Sequence, residues 1–209
     1  MENPWEKIPL SDYENHMRLD SVRQLQAMNE LMKDQLGTYP VSSAIILGVA
    51  GGNGLEHVQR NKFSKVFGVD INPVYLKETA SRYPNLAGIL ECLCIDLTKE
   101  FHKLPPAELV IANLVIEYIG YESFQKVLRH TCPRYASCVI QINMENNWVS
   151  DSPYLSAFDG LEQIHCQMEP HALEKAMLEI GYHMIKTLEV LLPNQKKLLQ
   201  VDFERVVSA

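Results

Sequence analysis

A glycine-rich stretch in the first third of the chain could do ligand chemistry. In AIILGVAGGNGLEHV, Gly48, Gly51, Gly52 and Gly54 follow directly after an apolar run. Ligands of open parallel sheets bind beyond the carboxyl ends of the strands, where a glycine lets the backbone approach a ligand that a Cβ would exclude. The stretch therefore predicts a ligand-binding loop between a strand and a helix. A turn that serves only helix-on-strand packing is the alternative.

Two common nucleotide-binding signatures do not fit this loop. The dinucleotide fingerprint GxGxxG needs a small third residue, but His57 stands there when the pattern starts at Gly52. The phosphate-binding pattern GxxxxGK(S/T) is absent, because no Lys-Ser or Lys-Thr pair follows the glycines. The loop must therefore serve a ligand of another kind.

Acidic residues end the next two apolar runs. KVFGVD ends in Asp70, and CLCIDLT contains Asp96. A carboxylate at a strand end can accept two hydrogen bonds from a vicinal diol. The alternative for Asp70 is a helix cap or turn, which Asn72 and Pro73 could themselves provide. The alternative for Asp96 is an ordinary loop aspartate.

The elements that position these residues alternate along the chain. An amphipathic helix, SVRQLQAMNELMKDQLG, comes first. Apolar strand-like runs then alternate with helical patterns, which predicts a mostly parallel sheet covered on both faces. The strand runs are SAIILGV, KVFGVD, LECLCID, ELVIANLVI and SCVIQIN, and the helical patterns include GLEHVQRNK, PVYLKETASRY and YESFQKVLRHTC. After the helix EPHALEKAMLEIG, the runs HMIKTLEVLLP and KKLLQVDFERVV flank PNQ, which predicts a terminal antiparallel hairpin.

Composition restricts the partners. The 209 residues are 46% apolar, which suits one domain with a core, and 19 Lys and Arg against 26 Asp and Glu give a net charge of -7. Without a basic cluster, nucleic acid is not expected as a partner. No segment has the pattern of a signal peptide or membrane span, so no membrane partner is expected. The odd count of five cysteines, with Cys92 and Cys94 read as buried thiols, indicates a reducing, cytoplasmic location.

Together these features resemble the class I S-adenosylmethionine-dependent methyltransferases, whose first loop follows D/E-x-G-x-G-x-G. Gly54 takes the place of the last glycine, Gly52 of the middle one and Ala50 of the first, while Gly48 stands where the family has an acid. The resemblance covers about residues 40 to 209. It implies an α/β, Rossmann-like fold with a mostly parallel seven-stranded sheet flanked by helices and an antiparallel last strand. It also implies S-adenosyl-L-methionine as cofactor and S-adenosyl-L-homocysteine as product.

The resemblance assigns roles to further residues. Asp70, with Ile71 beside it, corresponds to the acid that binds both ribose hydroxyls. Asp96 and the backbone of Leu97 correspond to the adenine contacts. Asn113 and Leu114 correspond to the strand end beneath the sulfonium.

Catalysis needs mainly alignment, because the sulfonium already activates its methyl group. No catalytic residue is assigned. A general base is optional, and the residues that could serve as one are Glu117 and Tyr118 after the fourth strand, His57 after the glycines, and Tyr13 and His16 in the leading segment. Each has an alternative: Glu117 and Tyr118 could face solvent or start the next helix, and His57 could only pack or cap.

The acceptor is expected to be a small molecule. The fourth run, ANLVIEYI, lacks the (D/N)PPY pattern that the family uses for planar nitrogens of nucleobases and glutamine, and no Pro-Cys nucleophile follows it. A protein acceptor stays open. The residues His165, Cys166, Glu169 and His171 lack a supporting second cluster, so no metal is expected. A monomer or homodimer is expected.

We expect one methyltransferase-like domain over residues 1–209. Residues 1–40 would form a helical cap or lid, and 41–209 the Rossmann-like core, with 144–169 inserted over the active site. Both covering segments carry aromatic residues, Trp5, Tyr13, Trp148, Tyr154 and Phe158, and simple packing over the sheet edge is the alternative.

Two other functions stay open from the sequence alone. Loss of the acid at Gly48 would suit a methyltransferase-like binding or regulatory protein without catalysis. A nucleotide-dependent oxidoreductase fits less well, because the third glycine is missing and a terminal hairpin is expected.

Overall fold

Seven strands form one sheet in the computed structural model, which describes residues 3–143 and 152–206. The strands are β1 (Ser43–Leu47), β2 (Lys65–Asp70), β3 (Leu90–Cys94), β4 (Leu109–Asn113), β5 (Tyr135–Asn143), β6 (Tyr182–Leu191) and β7 (Lys196–Arg205). The α-helices of the described residues are α1 (Leu10–Arg18), α2 (Gln24–Thr38), α3 (Pro73–Arg82), α4 (Ile116–Thr131) and α5 (Pro170–Leu178).

The strand order is β3-β2-β1-β4-β5-β7-β6. Strands β1 to β5 pair in parallel, and β7 enters between β5 and β6, antiparallel to both. The fold class is therefore confirmed, including the hairpin that ends the sheet. Because β7 runs the other way, its first residue lies beside the last residue of β5, at the edge where the parallel strands end.

The central strands are apolar on both sides because both faces of the sheet are covered. In β1, Ile45 and Leu47 point into one buried cluster and Ala44 and Ile46 into the other. Helix α4 packs on the first face and α2 on the second. Continuous apolar runs are what such a doubly covered strand requires.

The helix predicted over GLEHVQRNK is wrong. Only one 3-10 turn forms there, Leu55–His57, and Val58 is already extended. The buried face that this helix would have covered is taken by α2, whose Met32 packs in one cluster with Leu55 and Val58. With that face covered, a short loop suffices to connect β1 to β2.

Two smaller expectations also need correction. The fourth strand ends at Asn113, and the residues read as its continuation turn into α4, which has a kink at Gly120 (φ 74°). Cys92 is half-buried and Cys94 is exposed, because β3 is an edge strand.

All five cysteines are free thiols. No helix in the described ranges is long and apolar enough to cross a membrane.

Candidate functional site

A cavity of about 1110 Å³, including the open space at its mouth, lies at the carboxyl ends of the parallel strands. Small-molecule sites usually enclose about 300–1,000 Å³, so a nucleoside cofactor and a second small molecule could both fit. Of the sequence candidates, the cavity wall includes Gly48, Ala50, Asp70, Ile71, Leu97, Asn113, Leu114, Tyr13, His16, Glu117 and Tyr118. It does not include Gly52, Gly54, Asp96 or His57.

The start of the glycine loop exposes bare backbone to the cavity. Gly48 has a φ of +67°, and a Cβ there would lie 3.3 Å from the side chain of Val115. An acidic residue at this position would need both a left-handed backbone and space that Val115 occupies. The packing of Val115, just before α4, against the end of β1 therefore explains why position 48 holds glycine where the family has an acidic residue.

The later glycines of the loop serve packing. A Cβ on Gly52 would lie 2.7 Å from the ring of Tyr83, and one on Gly54 would lie 2.5 Å from Met32 of α2. His57 is also turned to this side, where its Nε2 lies 2.9 Å from Oδ1 of Asn29. Neither Gly52, Gly54 nor His57 contacts the cavity.

Asp70 ends β2 and lines the cavity. It is 9% exposed, and burial raises the pKa of its carboxyl against the opposing effect of backbone hydrogen bonds. Its Oδ2 accepts the N–H of Ala50 and its Oδ1 the N–H of Asn72, both at 2.9 Å. A third backbone hydrogen bond comes from Ile71, and because a carboxylate has about four lone-pair sites, acceptor capacity remains for a ligand hydroxyl. The cap of α3 comes from Asn72, which accepts the N–H of Val74.

Asp96 is used within its own loop. Its Oδ1 accepts the backbone N–H of Thr98 at 2.9 Å, and its Oδ2 lies 2.6 Å from Nζ of Lys99. Burial acts to raise the pKa of Asp96, but the bonds from Lys99 and Thr98 outweigh it and lower the pKa. Its neighbours Ile95 and Leu97 are the residues that line the cavity.

Asn113, at the end of β4, is bound to α2 through its side chain. Its amide and that of Gln35 exchange two hydrogen bonds of 2.9 Å. Gln35 also donates to Ser137, which donates to the buried carboxylate of Asp202. With its amide engaged in this way, Asn113 would have to contact a ligand chiefly through its backbone.

The N-terminal segment covers one side of the cavity and is bound to α3. Asn72 donates to the carbonyl of Trp5 at 3.0 Å, and the hydroxyl of Tyr75 donates to the carbonyl of Ile8 at 2.8 Å. Arg82 forms an ion pair with Glu14 of α1. These bonds join the covering segment to the helix that follows Asp70.

Residues 152–169 contribute a second cover. Phe158 and Leu161 pack with Ile8 in one buried cluster and also line the cavity. Nδ1 of His16 lies 2.7 Å from Oγ of Ser152, so the two covers also meet through a polar contact. Trp148, which the sequence assigns to the same cover, lies outside the described residues.

Glu117 and Tyr118 come from the first turn of α4. Glu117 is 4% exposed, and its Oε1 accepts the backbone N–H of Gln141 in β5 at 2.7 Å. Burial raises the pKa of Glu117 to about 8. Burial and the charge of Glu117 also raise the pKa of Tyr118.

Three nitrogen bases face the same cavity: His16, His165 and Lys196. Burial lowers the pKa of Lys196 to about 8. Burial, and then the charge of Lys196, lower the pKa of both histidines. The histidines are therefore neutral at pH 7, and Lys196 is the cation of this group.

Sequence reasoning missed Lys196, Gln141 and Gln24 as cavity residues. The signal for Lys196 was the predicted hairpin, because an antiparallel β7 must begin where the parallel strands end, opposite Asn143. The same β5–β7 pairing places Gln141, near the end of β5, at this edge of the sheet. Gln24, the first residue of α2, had no comparable signal.

The described residues hold no group of three or more His, Cys, Asp or Glu side chains arranged for a metal ion.

Comparison with known proteins identifies the fold. No protein-family model matches the sequence, and no curated protein is significantly similar to it. Among solved structures, the N-methyltransferase NodS from Bradyrhizobium japonicum, bound to S-adenosyl-L-homocysteine, is similar with a TM-score of 0.68 and 11% identity over 99% of this chain and all of that one (100%). A geranyl diphosphate methyltransferase in complex with S-adenosylmethionine has a TM-score of 0.65 and 12% identity over 93% and 89% of the two chains.

The fold is thus that of the class I S-adenosylmethionine-dependent methyltransferases, as the sequence predicted. A third similar structure is the cyclase SpnF, with a TM-score of 0.67 and 10% identity over 93% of this chain and 86% of that one. Because proteins with different reactions share this architecture, the function of this chain must be argued from its own site.

Proposed function

We propose that this protein is an S-adenosylmethionine-dependent methyltransferase that acts on a small molecule. The observation that carries the proposal is Asp70, a buried carboxylate at the end of β2 that is oriented by backbone N–H groups and lines the cavity. A vicinal ribose diol is the ligand that such a carboxylate suits.

The rest of the cavity floor fits the same cofactor. Gly48 leaves backbone bare, and a Cβ would fill the space between it and Val115. Ile71, Ile95 and Leu97 provide apolar surface beside Asp70, where an adenine would lie. Asn113 and Leu114 end β4 on the other side, where the methionine part and the sulfonium would lie.

When bound, S-adenosylmethionine supplies a methyl group that its positive sulfur already activates. The residues of this chain would bind the ribose, exclude water through the two covers, and align an acceptor nucleophile with the carbon–sulfur bond at about 3–3.5 Å. The cavity is large enough to hold the acceptor beside the cofactor, under Tyr13, Tyr118 and Phe158.

We propose that residues 1–209 act as one domain in which residues 1–40 and 144–169 cover a core formed by 41–209. Support comes from Tyr13, His16, Phe158 and Leu161, which belong to the covers and line the cavity.

Calorimetric titration tests the function. We expect S-adenosylmethionine and S-adenosyl-L-homocysteine to bind in the micromolar range and NADH not to bind. Binding of NADH instead would support an oxidoreductase. Binding of the two sulfur ligands without methyl transfer to any amine, hydroxyl or carbon acceptor in a radiolabel screen would support a binding protein that has lost catalysis.

A further inference from the structure

Glu117 lines the cavity, and no described cation pairs with its carboxyl group. Within the described ranges, its one hydrogen bond comes from the backbone N–H of Gln141, and no Lys, Arg or His forms an ion pair with it. Residues 1–2, 144–151 and 207–209, which are not described, contain no Lys, Arg or His. At 4% exposure, an ionised carboxylate needs a partner, and a ligand in the cavity can provide one.

Three aromatic rings line the same cavity as Glu117. The ring of Trp5 is nearly perpendicular to those of Tyr118 and Tyr13, with centroids 5.0 and 5.7 Å away. Burial and then the charge of Glu117 raise the pKa of Tyr118, and burial, Asp70, Glu14 and lastly Glu117 raise that of Tyr13. Aromatic rings attract ammonium groups through the ring quadrupole, and a cation bound beside Glu117 would favour the ionised form of its carboxyl.

The position along the sheet separates this group from the proposed ribose site. Asp70 ends β2, whereas Glu117 is hydrogen-bonded to β5, and two strands, β1 and β4, lie between them. A cofactor whose ribose lies at Asp70 and whose sulfur lies at the end of β4 would present its methyl group toward β5. The carboxyl group of Glu117 is therefore on the acceptor side.

We propose that Glu117 and the rings of Trp5, Tyr13 and Tyr118 bind the amino group of the acceptor, so that the methyl group is transferred to an amine nitrogen. The proposal rests on the methyltransferase function proposed above. It goes beyond that function by naming the class of acceptor and the residue that binds the nucleophile.

An anionic acceptor fits the cavity less well. Of its nitrogen bases, His16 is bonded to Ser152, and burial lowers the pKa of both His16 and His165. Lys196 already has a polar partner. An anion would meet one engaged cation, whereas an ammonium would meet a carboxylate that has no cation.

The chemistry balances with Glu117 as the proton acceptor. An ammonium bound to the carboxylate passes one proton to Glu117, which leaves a neutral amine with a lone pair. The amine nitrogen forms a bond to the methyl carbon, the carbon–sulfur bond breaks, and its electron pair stays on sulfur. The product is a methylated ammonium, and Glu117 releases its proton to water. A carboxyl pKa of about 8 is close to neutral pH, where proton transfer in both directions is efficient.

A pair of probes with the same shape and different charge tests the cation site. Choline is the cationic probe, 3,3-dimethylbutan-1-ol its neutral isostere, and benzoate the anionic probe. Calorimetry on the full chain should show choline bound about tenfold or more tightly than the isostere. Failure of choline to bind, equal affinity for the isostere, or tighter binding of benzoate would each overturn the proposal.

Two variants on the same helix localise the effect. In Glu117→Gln the amide oxygen can still accept the N–H of Gln141, so the fold is retained, and the preference for choline should disappear. Glu122→Gln, which removes an exposed carboxylate paired with Lys126, should leave the preference unchanged. A preference that survives in Glu117→Gln would overturn the proposal.

A second arm distinguishes the acceptor from the other source of an ammonium, the amino acid part of the cofactor. S-adenosyl-L-homocysteine carries that amino group, and methylthioadenosine lacks it. We expect Glu117→Gln to bind both within about threefold of the unmodified protein. A loss of about tenfold or more for S-adenosyl-L-homocysteine alone would instead place the cofactor's amino group at Glu117 and overturn the acceptor assignment.

Failure of the methyltransferase function can be distinguished from failure of the amine site at Glu117. If neither sulfur ligand binds, the proposed function fails. The choline measurement on the unliganded protein still reports on the carboxylate and its rings, because it does not depend on the cofactor.

Discussion

The backbone N–H of Ala50 donates to Oδ2 of Asp70 across 2.9 Å, which joins the loop after β1 to the end of β2. Ala50 adopts a φ of +46° to make this contact, although it is not a glycine. Its carbonyl in turn accepts the hydroxyl of Thr79 at 2.6 Å. The loop and the carboxylate are therefore one structural unit, and a ligand that binds Asp70 also meets the loop.

Replacing Asp70 should remove most of the cofactor affinity. In Asp70→Asn the backbone N–H of Ala50 or Asn72 loses its charged acceptor, and a ribose diol loses its carboxylate. A buried hydrogen bond to a charged group contributes about 1–3 kcal/mol, so the affinity for S-adenosyl-L-homocysteine should fall about 5- to 150-fold in calorimetry. Unchanged affinity in a folded variant would show that Asp70 does not bind the ribose.

Asp96 offers a matched comparison, since it also follows a strand. Its oxygens are used by Thr98 and Lys99, and it does not line the cavity. Asp96→Asn should therefore change the affinity for S-adenosyl-L-homocysteine by less than about threefold. The surface ion pair that it loses contributes at most about 1 kcal/mol to folding. A loss of affinity as large as that of Asp70→Asn would support an adenine contact through this side chain.

The sequence predicted the sheet well because its central strands are buried on both faces and its hairpin is local. Continuous apolar runs such as Ser43–Leu47 and Leu109–Asn113 are hard to interpret as anything other than buried strands. The short PNQ turn makes the two runs beside it pair as a hairpin. The order of the strands was not predicted, since no local pattern shows that β7 lies between β5 and β6.

The prediction fails where tertiary packing, and not the local sequence pattern, determines the secondary structure. GLEHVQRNK has acceptable helix propensity, but the packing of Met32 in α2 leaves that face covered, so a loop forms. The assignment of Gly52 and Gly54 as cofactor contacts stays a prediction; in the structure neither lines the cavity, and a Cβ on them would meet Tyr83 and Met32. Such contacts between distant segments are not encoded in local spacing.

Restoring the family's acid at Gly48 should harm the protein. Gly48→Asp needs a left-handed backbone at a non-glycine residue and brings a Cβ to 3.3 Å from Val115. We expect a loss of about 1–3 kcal/mol in the free energy of unfolding, measured by urea denaturation. Gly37→Ala is the control, because Gly37 lies in α2 with nothing within 4 Å of a new Cβ, and it should stabilise the protein by about 0.5–1 kcal/mol. A stable Gly48→Asp variant with tighter cofactor binding would contradict this account.

The raised pKa of Glu117 predicts a pH dependence of stability. The folded pKa of about 8 exceeds the unfolded value near 4.3, so between these limits the folded state retains a proton that the unfolded state has lost. The contribution of Glu117 to the free energy of unfolding therefore falls as pH rises from about 5 to 8, by up to about 1.4 kcal/mol per pH unit.

Urea denaturation of the unmodified protein and of Glu117→Gln at several pH values measures this contribution. Both proteins share His16 and His165, whose lowered pKa values give stability that rises with pH through about 6.5, and Lys196, which acts in the same direction above pH 8. Their effects cancel in the difference between the two proteins. We expect the variant to gain stability relative to the unmodified protein as pH rises to 8, because only in the unmodified protein does the folded state keep a proton that the unfolded state releases. Parallel pH profiles would show that Glu117 is ionised in the folded protein throughout this range and that a cation already accompanies it.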